Sequence, residues 1–169
     1  MFRKNALLRN TFSLFAVFTL VMGALSLVGC DTDNGGDPDH ELNEKLVGTW
    51  FADFGGGYTD TYIVTKTAIS HPDGFPAYKA ASIEYVDNFS NTAGCIIIKR
   101  TEDDKYTAVF FKDLSANTVL LGDAFGPAPD YADPGVATLE LARERFKPEN
   151  AENWGGGSAQ GGTPQTRRP

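Results

Sequence analysis

The sequence predicts a mainly β protein, a small antiparallel β-barrel or sandwich with one C-terminal amphipathic helix. Three observations carry this. Six or seven short β-branched and aromatic segments recur between residues 47 and 122, with turn signals every eight to twelve residues. Several alternate with period two, as strands with two distinct faces must. The period changes to a helical one only over residues 136–147.

Residues 1–10 carry Arg3, Lys4 and Arg9 and no acid, and residues 11–28 are almost wholly apolar. The small Gly29 and then Cys30 follow. A basic start, an apolar run and a small residue at the cut describe a secretory signal over residues 1–29. Leu27-Val28-Gly29-Cys30 resembles the lipobox of bacterial lipoprotein precursors. The resemblance implies cleavage between Gly29 and Cys30, a diacylglyceryl group on the Cys30 thiol, and a mature protein anchored in the cell envelope by its lipid. The competing reading is an uncleaved membrane span, since the run of eighteen residues reaches the lower limit for one.

The stretch from Cys30 to Pro169 is 140 residues, enough for one domain with a core. Residues 1–29 hold three of the fifteen bases and none of the twenty-two acids, so the remainder carries 12 bases against 22 acids, a net −10. Such a surface disfavours nucleic acid and anionic headgroups. With Cys30 lipidated, Cys95 is left alone, in the apolar run Gly94 to Ile98, and is expected to be a buried free thiol.

Residues 30–41 form an acidic, glycine- and proline-containing tether that includes His40. Its opening, Asp31-x-Asp33-Asn34-Gly35-Gly36, hints at a calcium loop but fails at the fifth and twelfth places, Gly35 and Leu42. The folded domain is expected over residues 42–154. Glu41 to Leu46 suits one helical turn, and Val47 to Phe54 a strand ended by Gly55-Gly56-Gly57. Tyr58 to Thr65 alternates, with Tyr58, Asp60, Tyr62 and Val64 sharing a face. Lys66 to Ser70 continues this strand or starts a third. His71 to Pro76 reads as a loop, with His71 exposed. Tyr78 to Val86, Ala93 to Arg100, Lys105 to Phe111 and Thr118 to Gly122 read as strands. Residues 87–92 read as a turn. Both faces of residues 105–111 are apolar, which calls for a core on one side and a neighbour, such as the helix, on the other. Pro127, Pro129 and Pro134 make residues 123–135 a loop. Leu139, Ala142 and Phe146 then line one side of the helix. Residues 155–169 are glycine-rich and polar and are expected to be a mobile tail.

Gly48-x-Trp50 after a short helical turn is similar to the opening of lipocalin-like barrels. That resemblance implies a tryptophan plugging one end of the barrel. Gly48-Thr49-Trp50, Asp60 to Thr65, Asn91 to Ile98 and Ala137 to Glu140 also look like a group of uncharacterised lipoproteins of spirochaetes such as Treponema, a resemblance that implies location and no activity.

The sequence offers no nucleophile with a base, no metal spacing and no phosphate loop. Its two histidines, His40 and His71, stand in the tether and beside a proline, and carboxylates such as Asp53, Asp60 and Glu84 are scattered. The expected function is therefore a non-enzymatic binding module without catalytic residues, metal or cofactor, taking a small hydrophobic ligand or a protein partner. The alternative is an envelope interaction protein with a filled core, using loops 71–77 and 123–135.

Overall fold

The computed structural model describes residues 40–73, 78–126, 132–157 and 162–169. Gly29, Cys30, the expected signal, the expected tether up to residue 39 and the Asp31 segment lie outside them. The described chain forms a closed barrel of eight antiparallel strands in sequence order. These are β1 (Gly48–Gly55), β2 (Tyr58–Val64), β3 (Ala68–His71), β4 (Tyr78–Ser90), β5 (Ala93–Arg100), β6 (Tyr106–Lys112), β7 (Thr118–Asp123) and β8 (Thr163–Arg167). Each strand pairs with the next, and β8 closes on β1 through Trp50–Arg167 and Phe51–Thr166. Among the described residues, one α-helix, α1 (Leu139–Arg145), and a 3-10 helix (Pro148–Asn153) lie between β7 and β8.

Alternation along the strands produces two apolar cores on opposite faces of the sheet. Trp50, Tyr62, Val64, Ile69, Ile96, Ile98, Val109 and Phe111 turn inward and cluster inside the barrel. Cys95, Ile97, Ala108 and Phe110 turn outward and meet Ala142 and Phe146. The two-faced apolar pattern of residues 105–111 thus has its expected explanation, because α1 covers the outer face of β5 and β6. The helix is shorter than the expected 136–147. The Thr138 hydroxyl caps it by accepting from the Leu141 N–H at 3.3 Å, while Val136 pairs with Tyr106 instead. The expected turn over residues 87–92 also contracts, since β4 runs to Ser90 and leaves two residues before β5.

At one end of the barrel the 3-10 turn Glu44–Leu46 leads into β1. Trp50 is fully buried there, and its indole N–H donates to the Leu46 carbonyl at 2.7 Å. The Arg167 guanidinium lies over the indole ring at 4.3 Å from its centroid and donates to the carbonyls of Val47, at 2.7 Å, and Ala116, at 2.9 Å. A Cβ at residue 48 would run into that guanidinium, and the backbone there has φ 151°, so glycine is required. Gly48, Trp50 and Arg167 are thus one plug.

The largest departure from the sequence reading concerns the last residues. Residues 163–167 are a strand, not a mobile tail, and Gln165 is 1% exposed. Thr-Pro-Gln-Thr-Arg carries no apolar alternation, so its order comes from backbone pairing to β7 and β1. Pro164 is tolerated because β8 pairs with β1 only at residues 166 and 167, which leaves Pro164 bonded on one side.

Candidate functional site

A cluster of polar side chains occupies the barrel interior toward the end opposite the plug. Asp60 stands near the start of β2, beside the hairpin whose Gly55, Gly56 and Gly57 all have positive φ. His71 is the last residue of β3 and faces Tyr78, the first of β4. Asp123 is the last residue of β7. Gln165 reaches the cluster from β8. The inward period of β2 places Asp60 on the face of Tyr62 and Val64, as the alternation predicts.

The imidazole is the centre. His71 Nε2 is bonded to Asp60 Oδ1, and Nδ1 lies 2.8 Å from Asp123 Oδ2, an ion-pair contact not aligned as a hydrogen bond. The ring stacks on Tyr62 with centroids 3.8 Å apart and meets Tyr78 edge-on at 5.7 Å. Both phenols donate to Asp123, Tyr62 at 2.7 Å and Tyr78 at 3.0 Å. The Gln165 amide donates to Asp60 Oδ2 at 2.7 Å. The side chains of His71 and Asp123 are 4% and 3% exposed, and that of Asp60 is 13% exposed.

Burial works against a charged imidazole, but Asp123 and Asp60 outweigh it and raise the His71 pKa to about 9. His71 is therefore an imidazolium at neutral pH. Burial, reinforced by Asp123, holds the Tyr62 and Tyr78 phenols protonated well above their ordinary range. Chemically this is a clamp. Both ring nitrogens face carboxylates, so neither is free to take a proton from a substrate or to ligate a metal. Among the described residues no group of three His, Cys, Asp or Glu side chains is arranged to hold a metal ion.

His71 corrects the sequence reading. It is buried in a strand, not exposed in a loop, because His71-Pro72 ends β3 instead of lying beyond it. The only cue was the two-residue spacing from Ile69, too short to outweigh the punctuation that follows. Gln165 was hidden by its glycine-rich surroundings and Asp123 by the prolines after it. Asp53 and Glu84 are exposed; Asp53 caps its own turn by accepting from the Gly55 N–H at 2.8 Å, and Glu84 accepts from Ser82. His40 docks on the outer wall, with Nδ1 3.1 Å from the Val86 carbonyl and Nε2 3.1 Å from the Tyr85 hydroxyl. Cys95 is fully buried and free, and burial, with Asp87 adding to it, pushes its thiol pKa up. Residues 74–77 and 127–131 of the expected loops lie outside the described residues.

Two grooves lie on the outer surface. One, of about 440 Å³, is lined by Val136, Leu141, Glu144, Arg145, Asn150, Asn153 and Trp154. The other, of about 370 Å³, is lined by Tyr85, Asp87, Glu140, Arg143 and Glu144. Their polar groups are spread along helix rims, whereas those of the inner cluster converge on one imidazole. No family model matches the sequence, and no curated protein or solved structure is detectably similar to it.

Proposed function

We propose that the protein is an exported bacterial lipoprotein, held in the cell envelope through Cys30, whose barrel is a non-enzymatic module that binds a small molecule. The observation that carries the binding role is the His71–Asp60–Asp123–Gln165 cluster. A barrel needing only stability has little use for two carboxylates and an imidazolium inside it, since apolar replacements of a buried ion pair are often neutral or stabilising. One end is plugged by Trp50 and Arg167 and the opposite end is polar, which gives the interior a direction, as ligand-binding barrels of this strand number have. An imidazolium held between two carboxylates argues against acid–base work. The anchor rests on Leu27-Val28-Gly29-Cys30, and the resemblance to spirochaete lipoproteins supports the same location. Labelling of cells with a palmitate analogue tests the anchor, with loss of label in Cys30→Ser expected. Retention of a hydrophobic fluorophore by the purified protein tests the module. A cooperative melt with no probe retained counts against it.

A second reading has its own observation. Phe54 and Tyr58, at the tip of the β1–β2 hairpin, are 61% and 76% exposed. Two exposed aromatics flanking three glycines favour contact with a protein partner through this hairpin, a different surface from the loops 71–77 and 123–135 expected from the sequence. Loss of a cross-linked species in Phe54→Ser/Tyr58→Ser, with ligand retention unchanged, would assign the hairpin to that role.

A further inference from the structure

Two unmet requirements inside the barrel define the chemistry of its ligand, given the binding-module reading on which this inference rests. The first is an acceptor. Because a carboxylate only accepts, the 2.7 Å bond to Asp60 fixes the Gln165 amide with Nε2 toward that residue. Gln165 Oε1 is then left buried and without a hydrogen-bond partner among the described residues. Such an acceptor is costly unless something donates to it. The second is a charge. Among the described residues His71 is the one cation paired with Asp60 and Asp123, so two carboxylates share one imidazolium. Tyr62 and Tyr78 bring hydrogen bonds but no charge.

The missing donor and the missing positive charge are independent deficits, and they coincide at the Asp60–Gln165 side. Asp60 is also the most solvent-exposed of the charged members. We propose that this site takes the ammonium head of a small organic amine, with an N–H donating to Gln165 Oε1 and the charge offsetting the excess carboxylate. A hydroxyl would answer Gln165 but not the charge, and a carboxylate would worsen both. A bare divalent cation would need converging oxygen ligands, whereas both carboxylates here are already committed to the imidazole.

The test is isothermal titration of the full chain in detergent at pH 7 with benzylammonium, benzyl alcohol and benzoate. Benzylammonium is expected to bind about tenfold or more tightly than benzyl alcohol, and benzoate not at all. Gln165→Met should cost about tenfold in benzylammonium affinity. Asp60→Asn should abolish the preference for ammonium over alcohol, which keeps the test valid if the first variant does not fold. Benzyl alcohol or benzoate binding as tightly as benzylammonium overturns the amine assignment and leaves the binding module standing. Unchanged benzylammonium affinity in both variants also overturns the site. No binding of any of the three overturns the amine site, and fluorophore retention by the same sample then decides whether the module stands without it.

Discussion

The charged imidazole makes the fold's stability depend on pH in a window where most proteins are indifferent. Folding raises the His71 pKa from 6.5 to about 9. A group whose pKa is raised in the native state contributes stability that is fully present below its unfolded pKa and is lost as pH rises through the folded one. The window is therefore pH 6.5 to about 9. Each tenfold gain in proton affinity is worth about 1.4 kcal/mol. The shift thus corresponds to at most about 3–4 kcal/mol, and to about 1–3 kcal/mol after allowing for the solvent contact of Asp60. Urea denaturation from pH 6 to 9.5 should show the unfolding free energy falling by that amount with a constant m-value. His71→Asn, which cannot carry the charge, should be nearly flat up to about pH 8.5 and then show only the smaller fall, shared with the wild type, that buried Cys95 causes once its unfolded thiol ionises. Constant wild-type stability across the window, or an equal fall in His71→Asn, would refute a charged His71 held between two carboxylates.

Other consequences are open to direct measurement. Arg167→Ala removes the cation over Trp50 and the bonds to Val47 and Ala116, and should cost about 2–4 kcal/mol by chemical denaturation. Removal of residues 158–169 deletes β8 and should abolish the cooperative thermal transition; a native-like melt would refute the closed barrel. Cys95 should react with a thiol reagent only as fast as the protein opens, so that denaturant accelerates the reaction by orders of magnitude. Gly48→Ala should destabilise by more than about 1 kcal/mol, because it meets both a left-handed φ and the Arg167 guanidinium.

Most of the fold could be read from residue pattern, and most of the site could not, for a common reason. Alternation in Tyr58 to Val64 and the double apolar faces of Tyr106 to Phe111 reflect burial of many side chains at once, so they survive in sequence. Gly48-x-Trp50 was legible because a glycine forced by a close approach and a buried indole sit two residues apart. The inner cluster has no such local signature. Asp60, His71, Asp123 and Gln165 come from four strands, with 105 positions between Asp60 and Gln165. Asp60 shares the legible alternation of β2, but His71, Asp123 and Gln165 each lie at a strand end or in a sparse strand where prolines and glycines dominate the local signal. β8 is ordered by its neighbours' backbones, and a period-two search cannot see hydrogen-bonding partners.

The seam between β1 and β8 also sets an order of events during synthesis. Thr166 donates to the Phe51 carbonyl across 115 positions, so the sheet cannot close until residues 163–167 have been made. Until then β1 and β7 both present open edges, and Trp50 lacks the guanidinium that covers it. Long-range closure of this kind is slow compared with local hairpin formation.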